Sequence, residues 1–70
     1  MVRVFYDANA GTAEVGYLLW FARSISELAA LGDALEDGAE IILYDDEEAD
    51  IPARLVFDAE PGRWRAVPLR

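Results

Sequence analysis

Five acids, Asp45, Asp46, Glu47, Glu48 and Asp50, crowd one short stretch of the chain. Carboxylate oxygens at that density are what calcium and magnesium bind. The stretch lacks the regular ligand alternation and the central glycine of an EF-hand loop, so a divalent-cation site competes with a plainer role. In that role it is a solvated turn whose charge keeps strand edges from pairing with other chains. Elsewhere the chemistry is sparse. The chain has no His, no Cys and no Lys, the residues that carry most near-neutral proton transfer, thiol chemistry and Schiff-base chemistry. Carboxylates, arginines, tyrosines and the hydroxyls of Thr12, Ser24 and Ser26 remain, and the serines have no histidine with which to build a triad. Acid–base catalysis by two carboxylates needs a pocket that raises one pKa, and a chain this short has little volume for one. Asp7, ending a strand beside a glycine-containing loop, is the best placed; the competing role is a turn-initiating aspartate. Gly11 and Gly16 lack the lysine and the spacing of a phosphate-binding loop. The expectation is a noncatalytic protein without a cofactor.

Arg63-Trp64-Arg65 has the look of a basic patch with an aromatic residue for stacking on bases. Strand alternation, however, puts Trp64 on the face opposite both arginines. Trp64 then belongs to the core, and Arg63 and Arg65 pair with nearby acids or grip an anionic ligand. The run Val15 to Ala22 (VGYLLWFA) is apolar on both of its period-two faces. Either the rest of the chain covers both faces, or one is left for a second copy or another protein. Tyr17, Trp20, Phe21, Arg63 and Arg65 are therefore the candidate interaction residues.

The 70 residues form one domain, 1–70, in which 54% of residues are hydrophobic, a composition that folds rather than stays disordered. The net charge of −8 is uneven, with residues 33–60 carrying eleven acids against Arg54 alone. That field repels phosphate backbones and anionic membranes, so the expected partner is a protein, a basic one above all, and neither nucleic acid nor a membrane. Arg3, Asp7 and Asn9 interrupt any apolar signal-peptide core, and the cytoplasm is the default location. Frequent alanine and arginine without lysine match the usage of GC-rich bacterial genomes.

Alternation predicts strands over Val2 to Asp7, Val15 to Ala22, Ala39 to Tyr44, Ile51 to Asp58 and Arg63 to Val67. Ser24-Ile25-Ser26-Glu27 reads as a capping box that opens a helix running to about Glu36. Ile25, Leu28, Leu31 and Leu35 form its apolar stripe, Gly38 ends it, and Gly32 marks close approach to a strand. The loop Ala59 to Gly62 sets a hairpin that pairs Asp58 with Arg63, Phe57 with Trp64, Val56 with Arg65 and Leu55 with Ala66. Phe57 and Trp64 then meet inside, with a cross-strand ion pair outside.

The stretch Leu35 to Pro68 resembles the latter part of small SH3-like barrels. The resemblance rests on a glycine-led strand (Gly38-Ala39-Glu40-Ile41-Ile42-Leu43), an acidic turn, and a hairpin ending Gly62-Arg63-Trp64-Arg65-Ala66-Val67-Pro68. It implies a strongly bent sheet around one core, a fold that hosts many functions. The expected architecture is mainly β with one helix, in the order β-β-α-β-β-β. It is a bent or closed antiparallel barrel or, as the alternative, an open α+β sheet with the helix on one face. The expected function is a protein-interaction module of a bacterial cytoplasmic protein, with self-association through residues 15–22 as one form of it. The alternative is binding of a small ligand or divalent cation through the turn 45–50.

Overall fold

The alternating run near the start becomes β1 (Arg3–Phe5), which turns Val4 and Tyr6 into the core. The computed structural model describes residues 2–47 and 50–69. A 3-10 turn (Ala8–Ala10) leads into two short strands, β2 (Gly11–Thr12) and β3 (Gly16–Leu18). Helix α1 (Ala22–Ala29) follows, then a second 3-10 turn (Gly32–Ala34), β4 (Glu40–Tyr44), β5 (Ile51–Asp58) and β6 (Arg63–Pro68). The strands form one six-stranded sheet in the order β1-β4-β5-β6-β3-β2, curled into a half-barrel. The mainly β architecture with a single α-helix is thus as expected, in its bent rather than closed form.

The β5–β6 hairpin has the expected register, from Leu55 opposite Ala66 to Asp58 opposite Arg63. Ala53, Leu55 and Ala66 are fully buried and join Val4, Tyr6, Leu19, Leu28, Ile41 and Leu43 in the core. Phe57 departs from expectation, for it stays 43% exposed with its ring 4.9 Å from that of Trp64. Phe57 lies beyond the end of the β4 pairing, its amide donating to Asp37 Oδ1 at 2.8 Å. The ion pair outside is diagonal: the Arg65 fork takes Asp58 at 3.0 Å through both Nε and Nη2.

Two pairings go beyond what alternation predicts. Gly11–Thr12, expected as a loop, pairs with β3. β1 pairs with β4 in parallel, Val4 opposite Leu43, where an antiparallel sheet is expected. The helix is the larger correction. It starts at Ala22, with Phe21 as an N-cap that makes no side-chain bond, so Ser24 and Glu27 sit inside the first turns rather than closing them. It also ends before Gly32, which takes φ +56°. Beyond its chain neighbours, no atom of the described residues stands within 4 Å of where a Gly32 Cβ would be. The glycine is therefore required by its left-handed backbone and not by close approach. Leu31 and Leu35 still pack on the core, which is why the apolar stripe outlasts the helix.

Candidate functional site

Residues 15–22 do not form one strand. β3 stops at Leu18, Leu19 is drawn into the core, and the chain turns through Trp20 and Phe21 into α1. That change of direction leaves Trp20 outside and 50% exposed. On α1, Leu28 points inward, whereas Ile25 and Ala29, one turn apart on the same face, look across to the β5–β6 turn. Gly62 in that turn takes φ +89° and donates to the Asp58 carbonyl at 2.7 Å, which holds Arg63 and Trp64 up as the opposite wall. The result is an apolar groove of about 310 Å³ with Leu19, Leu28, Leu35 and Trp64 inside it and Trp20 and Ile25 at its mouth.

Trp20 also borders a second, wider cleft of about 410 Å³, shared with Asp7, Asn9, Ala10 and Phe21. The Trp20 and Phe21 rings stand nearly perpendicular, 89° apart with centroids at 6.3 Å. The Arg63 guanidinium lies 5.0 Å from the Trp20 ring centre, and Arg63 borders the groove rather than the second cleft. Asp7 itself begins the first 3-10 turn, its Oδ1 accepting from the Asn9 amide at 2.9 Å, the turn-initiating role its sequence position allows.

The sequence candidates divide between two regions. Trp20 and Arg63 meet at the groove, Phe21 lines the second cleft beside Trp20, and Tyr17 packs on Tyr6 with ring centres 4.9 Å apart. Arg65 is committed elsewhere, to Asp58 and to the Val15 carbonyl, and its guanidinium holds the Asp58 carboxyl below its ordinary range. Sequence reasoning passed over Ile25, Ala29 and Gly62 as site residues. Ile25 was legible as the first residue of the apolar stripe, but with the helix starting at Ala22 it stays 55% exposed at the groove instead of entering the core.

In the acidic turn, Asp50 pairs with Arg3 at 2.9 Å, Asp46 approaches Arg23 at 3.8 Å, and Asp45 accepts from the Glu47 amide at 3.0 Å. Glu48 lies outside the described residues. Among the described residues no three acids come together as a metal cluster. The arginines that hold this turn also cap aromatic rings, Arg3 over Tyr44 at 4.4 Å and Arg23 over Phe5 at 4.6 Å. Around the groove, which Arg63 also lines, three acids stand outside any ion pair of the described residues. Asp33 and Glu36 flank Leu35 and Glu60 precedes the Gly62 turn, all exposed, and none has an arginine within ion-pair distance among the described residues. No described helix is long and apolar enough to cross a membrane. The chain matches no family model, no curated protein and no solved structure.

Proposed function

We propose that this domain is a noncatalytic protein-interaction module whose groove between α1 and the β5–β6 turn receives the apolar face of a basic amphipathic segment. The observation that carries the reading is the pairing of Trp20, 50% exposed, and Ile25, 55% exposed, at the mouth of one apolar groove. Large apolar side chains gathered at a concave site are the usual anchor of a protein contact. Asp33, Glu36 and Glu60 beside the lining residues select for positive charge on the partner's flanks and speed its encounter. The same charge opposes a second copy of the chain and a phosphate backbone.

The test is a titration of the labelled domain with a helical Leu/Lys amphipathic peptide, read from backbone amide and indole resonances. Its Leu/Glu counterpart serves as control. The Leu/Lys peptide should move Ile25, Ala29, Gly62 and the Trp64 indole, and its binding should weaken as salt screens the rim. Ile25→Glu, at a position already in water, should abolish those shifts while the domain stays folded. Equal binding of the Leu/Glu peptide, or shifts that leave the groove untouched, would overturn the reading. Sedimentation of the domain alone would reveal a second copy as the occupant instead.

A further inference from the structure

We propose that the second cleft, lined by Asp7, Asn9, Ala10, Trp20 and Phe21, binds an alkylated ammonium group. Two aromatic rings set 89° apart offer a π-face and a neighbouring wall to one cation, and the Asp7 carboxylate on the same cleft supplies the countercharge. Asp7 spends Oδ1 on the Asn9 amide, and Oδ2 has no donor among the described residues. Apart from Asp7 and Asn9 the lining is apolar, so it suits a cation whose methyl groups shed water readily over a bare metal ion or a strongly hydrated ammonium.

The pattern elsewhere in the molecule supports this assignment. Tyr44 is covered by Arg3 and Arg23, Phe5 by Arg23, and the groove side of Trp20 by Arg63. Cations over aromatic rings are this chain's recurring surface device. The Trp20–Phe21 corner beside Asp7 has the same composition of rings and a carboxylate, and no described arginine lines that cleft. The open mouth admits either a free quaternary amine or the head of a methylated lysine on a protein. The site does not depend on the groove's peptide binding, and each can fail without the other.

Tetramethylammonium chloride, titrated against an equal series of sodium chloride, tests the site directly. The Trp20 indole and the amides of Asn9 and Phe21 should shift with tetramethylammonium, and the Trp64 indole should stay still. Asp7→Asn keeps the oxygen that bonds Asn9 and removes only the charge, so it should weaken binding about fivefold or more with the fold intact. Trp20→Leu should remove binding. Choline and a short peptide bearing trimethyllysine, each compared with its unmethylated form, then separate the two sources, the tighter one naming the natural class. Shifts no larger than those from sodium chloride would overturn the proposal. So would binding unchanged by Asp7→Asn, or a response centred on Trp64.

Discussion

Glu27 accepts the backbone amide of Phe5 through Oε1 at 2.7 Å, so a helix carboxylate bonds to the outer edge of β1. Ser24, one turn earlier, donates its hydroxyl to the Phe5 carbonyl at 2.6 Å. In a parallel pair alternate residues face the neighbouring strand. Val2 and Tyr6 bond to β4, and Phe5 therefore faces outward. Both polar groups that Phe5 would offer to a foreign strand are taken by α1, which blunts an edge otherwise open to pairing with other chains.

That arrangement separates two readings of Ser24. At a helix N-cap, aspartate is as good as serine. Here Ser24 is fully buried against a carbonyl oxygen. Ser24→Asp should therefore destabilise the domain by about 3 kcal/mol or more, because an unpaired buried charge faces an acceptor. Ser24→Ala should cost about 1–3 kcal/mol, the penalty of an unsatisfied buried carbonyl. Denaturant melts check both, and an unchanged midpoint for Ser24→Asp would restore the capping role.

Tyr44 donates its hydroxyl to Glu27 Oε2, and this bond, ahead of burial, raises the Tyr44 pKa above the ordinary phenol range. A raised folded pKa means that the stabilisation is complete below the unfolded value and is lost as pH rises through the folded one. Alkaline titration followed by tyrosinate absorbance should show Tyr44 ionising above the ordinary phenol range, with stability falling in the same range. Tyr44→Phe should abolish that part of the pH dependence.

Asp58 behaves in the opposite sense. The hydrogen bonds from Arg65 lower its pKa, so its contribution is present above the unfolded value and lost as pH falls through the folded one. Arg65 also reaches the Val15 carbonyl, tying β6 to the loop before β3. Arg65→Ala should cost about 1–2 kcal/mol and flatten the acid limb of the stability profile, as urea melts at two pH values would show. In the same hairpin Trp64→Ala should cost about 2–4 kcal/mol and exceed Phe57→Ala, since Trp64 packs on the core and Phe57 stands partly in water.

Glycines supply a contrast of mechanism. A Cβ on Gly16, whose φ is +107°, would come within 2.8 Å of Arg65 Cγ and 3.0 Å of the Ala66 carbonyl. Gly16→Ala should strain the backbone and push β3 off β6, costing about 2 kcal/mol or more. Gly32→Ala meets no atom of the described residues beyond its chain neighbours and should cost about 1 kcal/mol, from its left-handed φ alone. Paired thermal melts rank the two, and equal losses would mean that close approach at Gly16 is relieved elsewhere.

The hairpin register, the inward face of β1 and the acidic field were legible in the residues themselves, because each depends on period-two alternation, a short turn or a count of charges. Asp58 to Arg63 is one local unit in which a single slip would turn Leu55 and Ala66 outward. Ser24 and Glu27 were legible only as a pattern. Their oxygens can bond the amides of their own helix or a distant strand, and only the fold, by bringing Phe5 alongside α1, decided between them. The parallel pairing of β1 with β4 was likewise beyond local reading, since alternation states which side chains face inward and not which strand lies beside which. The groove and the cleft belong to the same class. Asp7, Arg63 and the Trp20–Ile25 segment are distant in sequence, and nothing in periodicity encodes that the turn at Trp20–Phe21 sets one indole between them. Contacts between remote residues are made by chain closure around a shared core, so tertiary structure alone determined where this acidic surface opens.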